Sequence, residues 1–196
     1  MLPTTARVAL RELAPGDVDS LAEMLSDPEV MRHYVKCLTR PEAEAWIERQ
    51  LERYRQDGYG LWLASLHRTG EPIGQVGLLR QALPDGAEWE IGYLLHQKFW
   101  HQGYATEAAL AVREYAFRVL MPRRVISLIR PANTPSQRVA RRLGMNPVAR
   151  VQFSGLDHDV FAVMRGRVRY DLKALLSRRH DDHAKRSNPR PDCALG

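Results

Sequence analysis

Three short stretches of the chain hold residues whose types and spacing could do chemistry. The first is Trp89-Glu90-Ile91, a carboxylate between two large apolar side chains. A carboxylate in apolar surroundings holds its proton more tightly than in water, which suits a general base working near neutrality. The plain alternative is a solvated charge at a strand edge. Glu88 would share a face with Glu90, because side chains alternate along a strand, so either could be the base and the other its partner. The second stretch is Trp100-His101-Gln102-Gly103-Tyr104-Ala105-Thr106-Glu107, a glycine-containing loop that opens an Ala-rich helix. Such a junction aims free backbone N–H groups and the positive end of the helix dipole at one point, an anion site fit for a pyrophosphate. Gly103 lets the backbone approach closely and Ala105 is small for the same reason, although glycine before a helix is also common as punctuation. The third stretch is Asn133-Thr134-Pro135-Ser136, where ordinary helix capping competes with any chemical role.

These stretches need elements to position them. Residues 8–13 alternate as a short strand, and Pro15, Gly16 and Asp17 open a helical pattern through Leu21, Met24 and Leu25. Thr39 followed by Glu42 reads as a capping box for a helix with Trp46, Ile47, Leu51 and Tyr54 on its apolar face, ending near Gly58. Residues 61–66 and 73–79 read as a hairpin, with residues 89–95 as a third strand after the turn at Pro84 and Gly86. Ala108, Ala109, Val112, Tyr115, Ala116 and Val119 place a sheet-packed helix over 105–120, directly after the glycine loop. Residues 124–129 follow as a buried strand. Thr134 and Pro135 then serve as N-cap and first-turn proline of a helix reaching Leu143 and stopped by Gly144. Residues 148–153 and 160–164 complete the strands. Trp46 and Trp62, at apolar periods, read as core rather than pocket. Residues 178–196 have few apolar side chains and no period, and are expected to be a disordered basic tail.

Composition narrows the function classes. At 196 residues, 44% hydrophobic and 27% charged, the chain is one globular domain with an extension, and its apolar runs are too short to cross a bilayer. No secretory signal pattern is visible at the start, so a cytoplasmic location is expected. Cys37 and Cys193 lie far apart with no Cys/His cluster around them, so free thiols are expected, and neither a disulfide nor a metal site. The net charge of +6 is partly the tail's, and the body of the chain shows no basic block with interleaved aromatics, so nucleic acid is not the expected partner. There is no P-loop and no dinucleotide fingerprint, which removes nucleoside triphosphates and NAD. No Cys-His or Ser-His-Asp arrangement is evident, so a covalent enzyme intermediate is not expected.

The glycine loop reads W-H-Q-G-Y-A, which resembles the Q/R-x-x-G-x-G/A pyrophosphate loop of the GNAT superfamily of N-acetyltransferases. Trp100 replaces the first Gln or Arg, as in the branch that acetylates ribosomal-protein N-termini, whose loop runs W-G-x-G-Y-A-T-E-A. The run from Gly103 to Ala108 fits that branch unchanged, whereas His101 stands where the branch has glycine. Leu10-Arg11-Glu12-Leu13, Asp27-Pro28-Glu29-Val30-Met31, Asn133-Thr134-Pro135-Ser136 and Leu143-Gly144-Met145 also look like segments of this branch.

The resemblance implies an α/β fold: a mixed, largely antiparallel sheet flanked by helices, splayed at one point into an acetyl-CoA cleft, with a catalytic domain over 6–170. It implies acetyl-CoA as donor, no metal, and a primary-amine acceptor, a protein N-terminus being favoured over polyamines, antibiotics or amino-acid derivatives. Backbone groups of Ile91, Gly92 and Tyr93 would meet the donor's amides, and His101, Gln102, Gly103, Tyr104, Ala105 and Thr106 its pyrophosphate. Asn133 would contact the donor's arm. By the same resemblance Glu90 is the base acting through water and Ser136 the acid for the leaving thiolate, while His33, Tyr34 and Glu88 are acceptor contacts. Arg141 and Arg142 could reach the donor's phosphates or simply form an exposed helix face. A non-catalytic acetyl-CoA-binding module and a ribosome- or nucleic-acid-associated protein are the rival readings, and monomer and homodimer remain equally open.

Overall fold

The computed structural model describes residues 2–84 and 86–166. It contains one seven-stranded sheet in the order β1-β2-β3-β4-β5-β7-β6. The strands are β1 (Val8–Arg11), β2 (Leu61–Leu66), β3 (Pro72–Leu83), β4 (Gly86–Leu95), β5 (Arg124–Ile129), β6 (Asn146–Phe153) and β7 (Leu156–Met164). Every neighbouring pair is antiparallel except β4 and β5. This is the mixed, largely antiparallel sheet that the resemblance implies. The expected domain end at residue 170 and the expected tail over 178–196 lie outside the described residues, as does Cys193. Cys37 is an exposed free thiol.

Alternation along β2 sends neighbouring side chains to opposite faces, and the core follows from it. Trp62, fully buried, joins Val76, Leu78, Ile91, Ala109, Val112 and Ala116 under helix α4 (Tyr104–Val119). Leu63, one residue on, packs on the other face with Leu21, Met24 and Leu25 of α1 (Val18–Ser26) and with Ala43 and Ile47 of α3 (Arg40–Asp57). Helices thus cover both faces. The capping box of α3 forms as the sequence predicts, with the Glu42 carboxylate accepting the Thr39 N–H at 2.8 Å, and Gly58 ends the helix in the left-handed region at φ 75°. Among the described residues no helix is long and apolar enough to cross a membrane.

Three local expectations shift. A short helix, α2 (Pro28–Met31), occupies the Asp27-Pro28 motif, its Asp27 side chain accepting the Glu29 N–H at 2.8 Å. Helix α5 (Thr134–Arg142) is capped by Asn133 and not by Thr134: Asn133 Oδ1 accepts the Ser136 N–H at 3.1 Å, which moves Thr134 and Pro135 into the first turn. The β3–β4 hairpin is longer than its apolar pattern, because Gln81↔Glu88 and Ala82↔Ala87 continue the ladder with polar or small side chains.

The feature that makes a site is the junction of β4 and β5. Strands β3 and β4 pair at ten positions from Gly74↔Leu95 to Leu83↔Gly86, whereas the parallel β4–β5 contact has one registered pair, Glu90↔Ile126. Beyond it the two strands part. The backbone of β4 from Ile91 onward therefore leaves the ladder on that side, and unpaired strand groups need other partners.

Candidate active site

A cleft of about 1050 Å³ opens between the upper half of β4 and the first turns of α4 and α5. Its floor is Tyr93, Leu94 and Leu95. One wall is the glycine loop with Tyr104, Ala105 and Thr106, and the other is Asn133, Thr134, Pro135 and Ser136 with Arg138 and Arg142. The first helical bond of α4 runs from the Glu107 N–H to Gly103 O at 3.0 Å. The N–H groups of Gly103, Tyr104, Ala105 and Thr106 accordingly have no protein acceptor among the described residues, and they converge with the helix dipole on the cleft. Gly103 turns the chain at φ 84°, and a Cβ there would come within 3.4 Å of the Arg7 guanidinium. His101 also sits in the left-handed region at φ 61°, the conformation a glycine would adopt without strain. Trp100 braces the loop by donating its indole N–H to Leu95 O at 2.9 Å.

Glu107 ties the loop to the N-terminal segment. Its carboxylate accepts from Thr5 Oγ1 at 2.7 Å, from the Arg7 N–H at 2.8 Å and from Arg7 Nε at 2.6 Å. The Arg7 guanidinium lies 4.6 Å over the Tyr104 ring. Burial alone would raise the proton affinity of Glu107, but the bonds from Thr5 and Arg7 outweigh it and hold the group below the usual carboxylate range. A charge that would repel an anion at the helix start is thereby matched by Arg7.

A second, smaller cavity of about 290 Å³ lies on the other side of the splay and shares His33, Tyr93, Leu94, Asn133 and Ser136 with the cleft. Glu90 stands at its base, 8% exposed. Its Oε1 accepts the Leu128 N–H at 3.2 Å, and its Oε2 accepts Gln81 Nε2 at 2.6 Å. One residue away, Ser127 Oγ donates to Ile91 O at 2.8 Å. Two side chains thus supply, at the point of parting, bonds that a continuous ladder would have made from backbone. Burial pushes the Glu90 carboxyl above its ordinary range, against the opposing pull of the Gln81 and Leu128 bonds and the Arg53 charge. Tyr93 spans the splay, its hydroxyl donating to Ser136 O at 2.8 Å. Burial, reinforced by the Glu90 charge, raises its phenol. His33 Nε2 accepts Arg32 Nε–H at 3.1 Å, and burial followed by the charges of Arg32 and Arg130 pushes the ring below the usual histidine range, so it is held neutral.

Residues 7–146 match the acetyltransferase (GNAT) domain. The YkkB protein of Bacillus subtilis is 34% identical over 143 residues, covering 72% of this chain and 83% of its own length. The chain belongs to the GNAT acetyltransferase family. It is an acyltransferase, and the family's donor is acetyl-CoA. Among solved structures, a ribosomal α-N-protein acetyltransferase in complex with coenzyme A superposes with TM-score 0.67 at 18% identity, over 83% of this chain and 97% of its own. An aminoglycoside acetyltransferase in complex with coenzyme A superposes with TM-score 0.68, also at 18% identity, over 81% of this chain and 95% of its own. Both likenesses are of fold.

Within the GNAT frame the sequence-derived site residues fall into three groups. His101, Gly103, Tyr104, Ala105, Thr106, Tyr93, Asn133 and Ser136 all line the larger cleft. His33 borders both cavities, whereas Tyr34, Glu90, Ile91 and Gly92 line the smaller one, so Ile91 and Gly92, expected beside the pyrophosphate-loop residues, lie outside the larger cleft. Glu88 and Gln102 line neither. Glu88 Oε1 accepts Arg124 Nε at 2.9 Å, below the point where the strands part, and the face it shares with Glu90 does not bring it into the pocket. Gln102 folds back to donate to Lys98 O at 3.0 Å. Trp62 is core, but Trp46 borders the smaller cavity, its indole N–H donating to Gln75 Oε1 at 3.0 Å. Arg142 reaches the cleft, whereas Arg141 lies 5.6 Å over the Phe161 ring. Arg138 in the larger cleft and Gln81, Ser127, Arg130 and His158 in the smaller cavity are lining residues with no local sequence signal.

Proposed function

We propose that this chain moves the acetyl group of acetyl-CoA directly to a primary amine, with the α-amino group of a polypeptide as the favoured acceptor. The observation that carries the reading is the meeting of two cavities at one wall, one with free helix N–H groups and the other with a buried carboxylate. The donor's chemistry fits the larger cleft. The N–H groups of Gly103, Tyr104, Ala105 and Thr106 would hold its pyrophosphate, the free edge of β4 its amides, and the Asn133 side-chain amide its arm. On the other side Glu90 would take the amine's proton through water, since a carboxyl with raised proton affinity is matched to that task. As the amine nitrogen bonds to the acetyl carbon, the thioester C–S bond breaks and the thiolate takes a proton from the Ser136 hydroxyl. Ser136 lines both cavities, and its hydroxyl makes no protein hydrogen bond among the described residues. The catalytic unit would span residues 6–170.

The preference for a protein N-terminus rests on the branch-like motifs of the loop and of α5. A small-molecule amine is the second reading, favoured by the size of the acceptor cavity, about 290 Å³. Release of free CoA from acetyl-CoA across N-terminal peptides, polyamines and aminoglycosides tests the proposal. Turnover of one class, reduced in Glu90→Gln and Ser136→Ala with donor affinity kept, is the expected result. Tight acetyl-CoA binding without turnover of any amine would identify a binding module instead.

A further inference from the structure

The charges around the acceptor cavity do not suit a polycation. Among the described residues Glu90 is the one carboxylate in its lining, and both of its oxygens are already engaged by Gln81 and Leu128. The carboxylates bordering the neighbouring cleft are tied to arginines, Glu107 to Arg7 at 2.6 Å and Glu29 to Arg32 at 3.5 Å. An acceptor with several ammonium groups would find no free acid for the second one.

The opposite charge is present and underused. Arg130, half-buried just past the end of β5, lines the same cavity. Its Nη1 donates to Asp157 O at 3.2 Å, and it forms no ion pair with a carboxylate among the described residues. Its charge is felt inside the cavity, because it is one of the groups that push His33 below the usual range. Two imidazoles, His33 and His158, complete that side of the wall. His158 keeps its Nδ1 on Leu156 O at 3.0 Å. Arg130 is two residues beyond Leu128, the residue whose N–H holds Glu90, and both Glu90 and Arg130 line this one cavity. An acceptor small enough for a cavity of about 290 Å³ would carry its amine and its carboxylate within a few bonds of each other.

We propose that the acceptor carries a carboxylate close to its amine and that Arg130 binds it, while Glu90 takes the amine's proton. The inference rests on the acetyltransferase reading above. A guanidinium fork recognises a carboxylate bidentately and with direction, which a neutral amide cannot reproduce. An amino-terminal aspartyl or glutamyl residue of a polypeptide and a free acidic amino acid both present this chemistry.

The test compares kcat/KM for CoA release by the full chain on two matched pairs: short peptides starting with Asp or Asn, and free aspartate or asparagine. Spermidine and a peptide starting with Lys are run beside them. The wild type is expected to favour the acid over its amide by about tenfold or more, and the pair that shows the preference identifies the source of the carboxylate. In Arg130→Gln the ratio is expected to fall towards one, and in Arg130→Glu the Lys-starting peptide is expected to overtake the Asp-starting one. Arg130→Lys, which keeps the charge without the fork, is expected to give an intermediate ratio, and acetyl-CoA affinity reports the fold of each variant. Equal rates on acid and amide, a preference that survives in Arg130→Gln, or spermidine as the best acceptor would overturn this inference and leave the acetyltransferase reading standing. No CoA release with any acceptor would overturn both.

Discussion

The two cavities on either side of the β4–β5 splay are built from different materials. The larger cleft, proposed to take the donor, offers it backbone groups: N–H groups at the start of α4, the free edge of β4, and a glycine at φ 84° that sets their direction. The smaller cavity, proposed to take the acceptor, is lined by polar and aromatic side chains: Glu90, Gln81, Ser127, Arg130, Tyr34, Tyr93, Trp46 and two histidines. Backbone recognition tolerates changes of side chain as long as the conformation survives, and it suits a donor common to a family. Side-chain recognition is rewritten by single substitutions. The teaching is that one fold can keep its donor fixed and vary its acceptor, as the ribosomal-protein and aminoglycoside acetyltransferases of similar fold illustrate.

The comparison can be broken first at Glu90. If it is the base, Glu90→Gln lowers kcat by about a hundredfold or more while acetyl-CoA affinity, measured by calorimetry, stays put. A sharper cut on the donor side is Gly103→Val. A β-branched residue forced into the left-handed region costs ~1–2 kcal/mol, and acetyl-CoA binding is expected to weaken by roughly tenfold or more. The accompanying loss in kcat at saturating donor should be smaller than in Glu90→Gln. Ser136→Ala stands between the two cavities. It is expected to lower kcat by about tenfold or more, with the loss largest when the rate is limited by thiolate departure and recovered with a donor whose leaving thiol is more acidic.

What the sequence made legible divides along the same line. The wall of the larger cleft was readable because its parts are consecutive: Gly103, Tyr104 and Ala105 announce a glycine turn and a helix start, and a local backbone conformation has a local sequence cause. The smaller cavity draws on residues from 33 to 158, and nothing local marks Arg130 or His158 as its lining. Glu90 was readable from its apolar flanks, yet Glu88 was not separable from it, because period-two alternation gives both the same face. What separates them is the point at which β5 leaves β4, a tertiary fact. Asn133 was read as a donor contact with capping as the rival, and the structure shows the cap directly, its Oδ1 on the Ser136 N–H. The amide nitrogen remains for the proposed contact. The shift of the cap from Thr134 to Asn133 also has a physical reason, since the Asn side chain one residue earlier reaches the same N–H and Pro135 is accepted equally well in the first turn.

Two smaller effects sharpen the account. Gln81→Leu removes one hydrogen bond to the ionised Glu90 and should raise its proton affinity further. The acidic limb of kcat/KM is then expected to move to higher pH, with KM for acetyl-CoA unchanged. Stability should respond as well. A carboxyl whose folded proton affinity is raised favours the folded state when protonated, so the wild type is expected to lose stability as pH rises from the unfolded carboxylate range through the folded one. Glu90→Gln should be flat over that window and more resistant to thermal unfolding at neutral pH. The smallest expected change is at the loop. His101→Gly relieves a left-handed non-glycine residue and is expected to add about 1 kcal/mol or less of stability, the strain relief being offset in part by glycine's unfolded-state entropy.

The central claim, that Glu90 is the base of a side-chain-built acceptor site, is tested most directly by the pH dependence of CoA release at saturating acetyl-CoA in wild type and Glu90→Gln. With an acceptor that is turned over, the wild-type rate should rise through a single ionisation above the ordinary carboxylate range. In Glu90→Gln that limb should vanish, leaving the gradual rise set by the amine's own deprotonation. An acidic limb of the same shape and position in both proteins would contradict the account and assign the proton to another group.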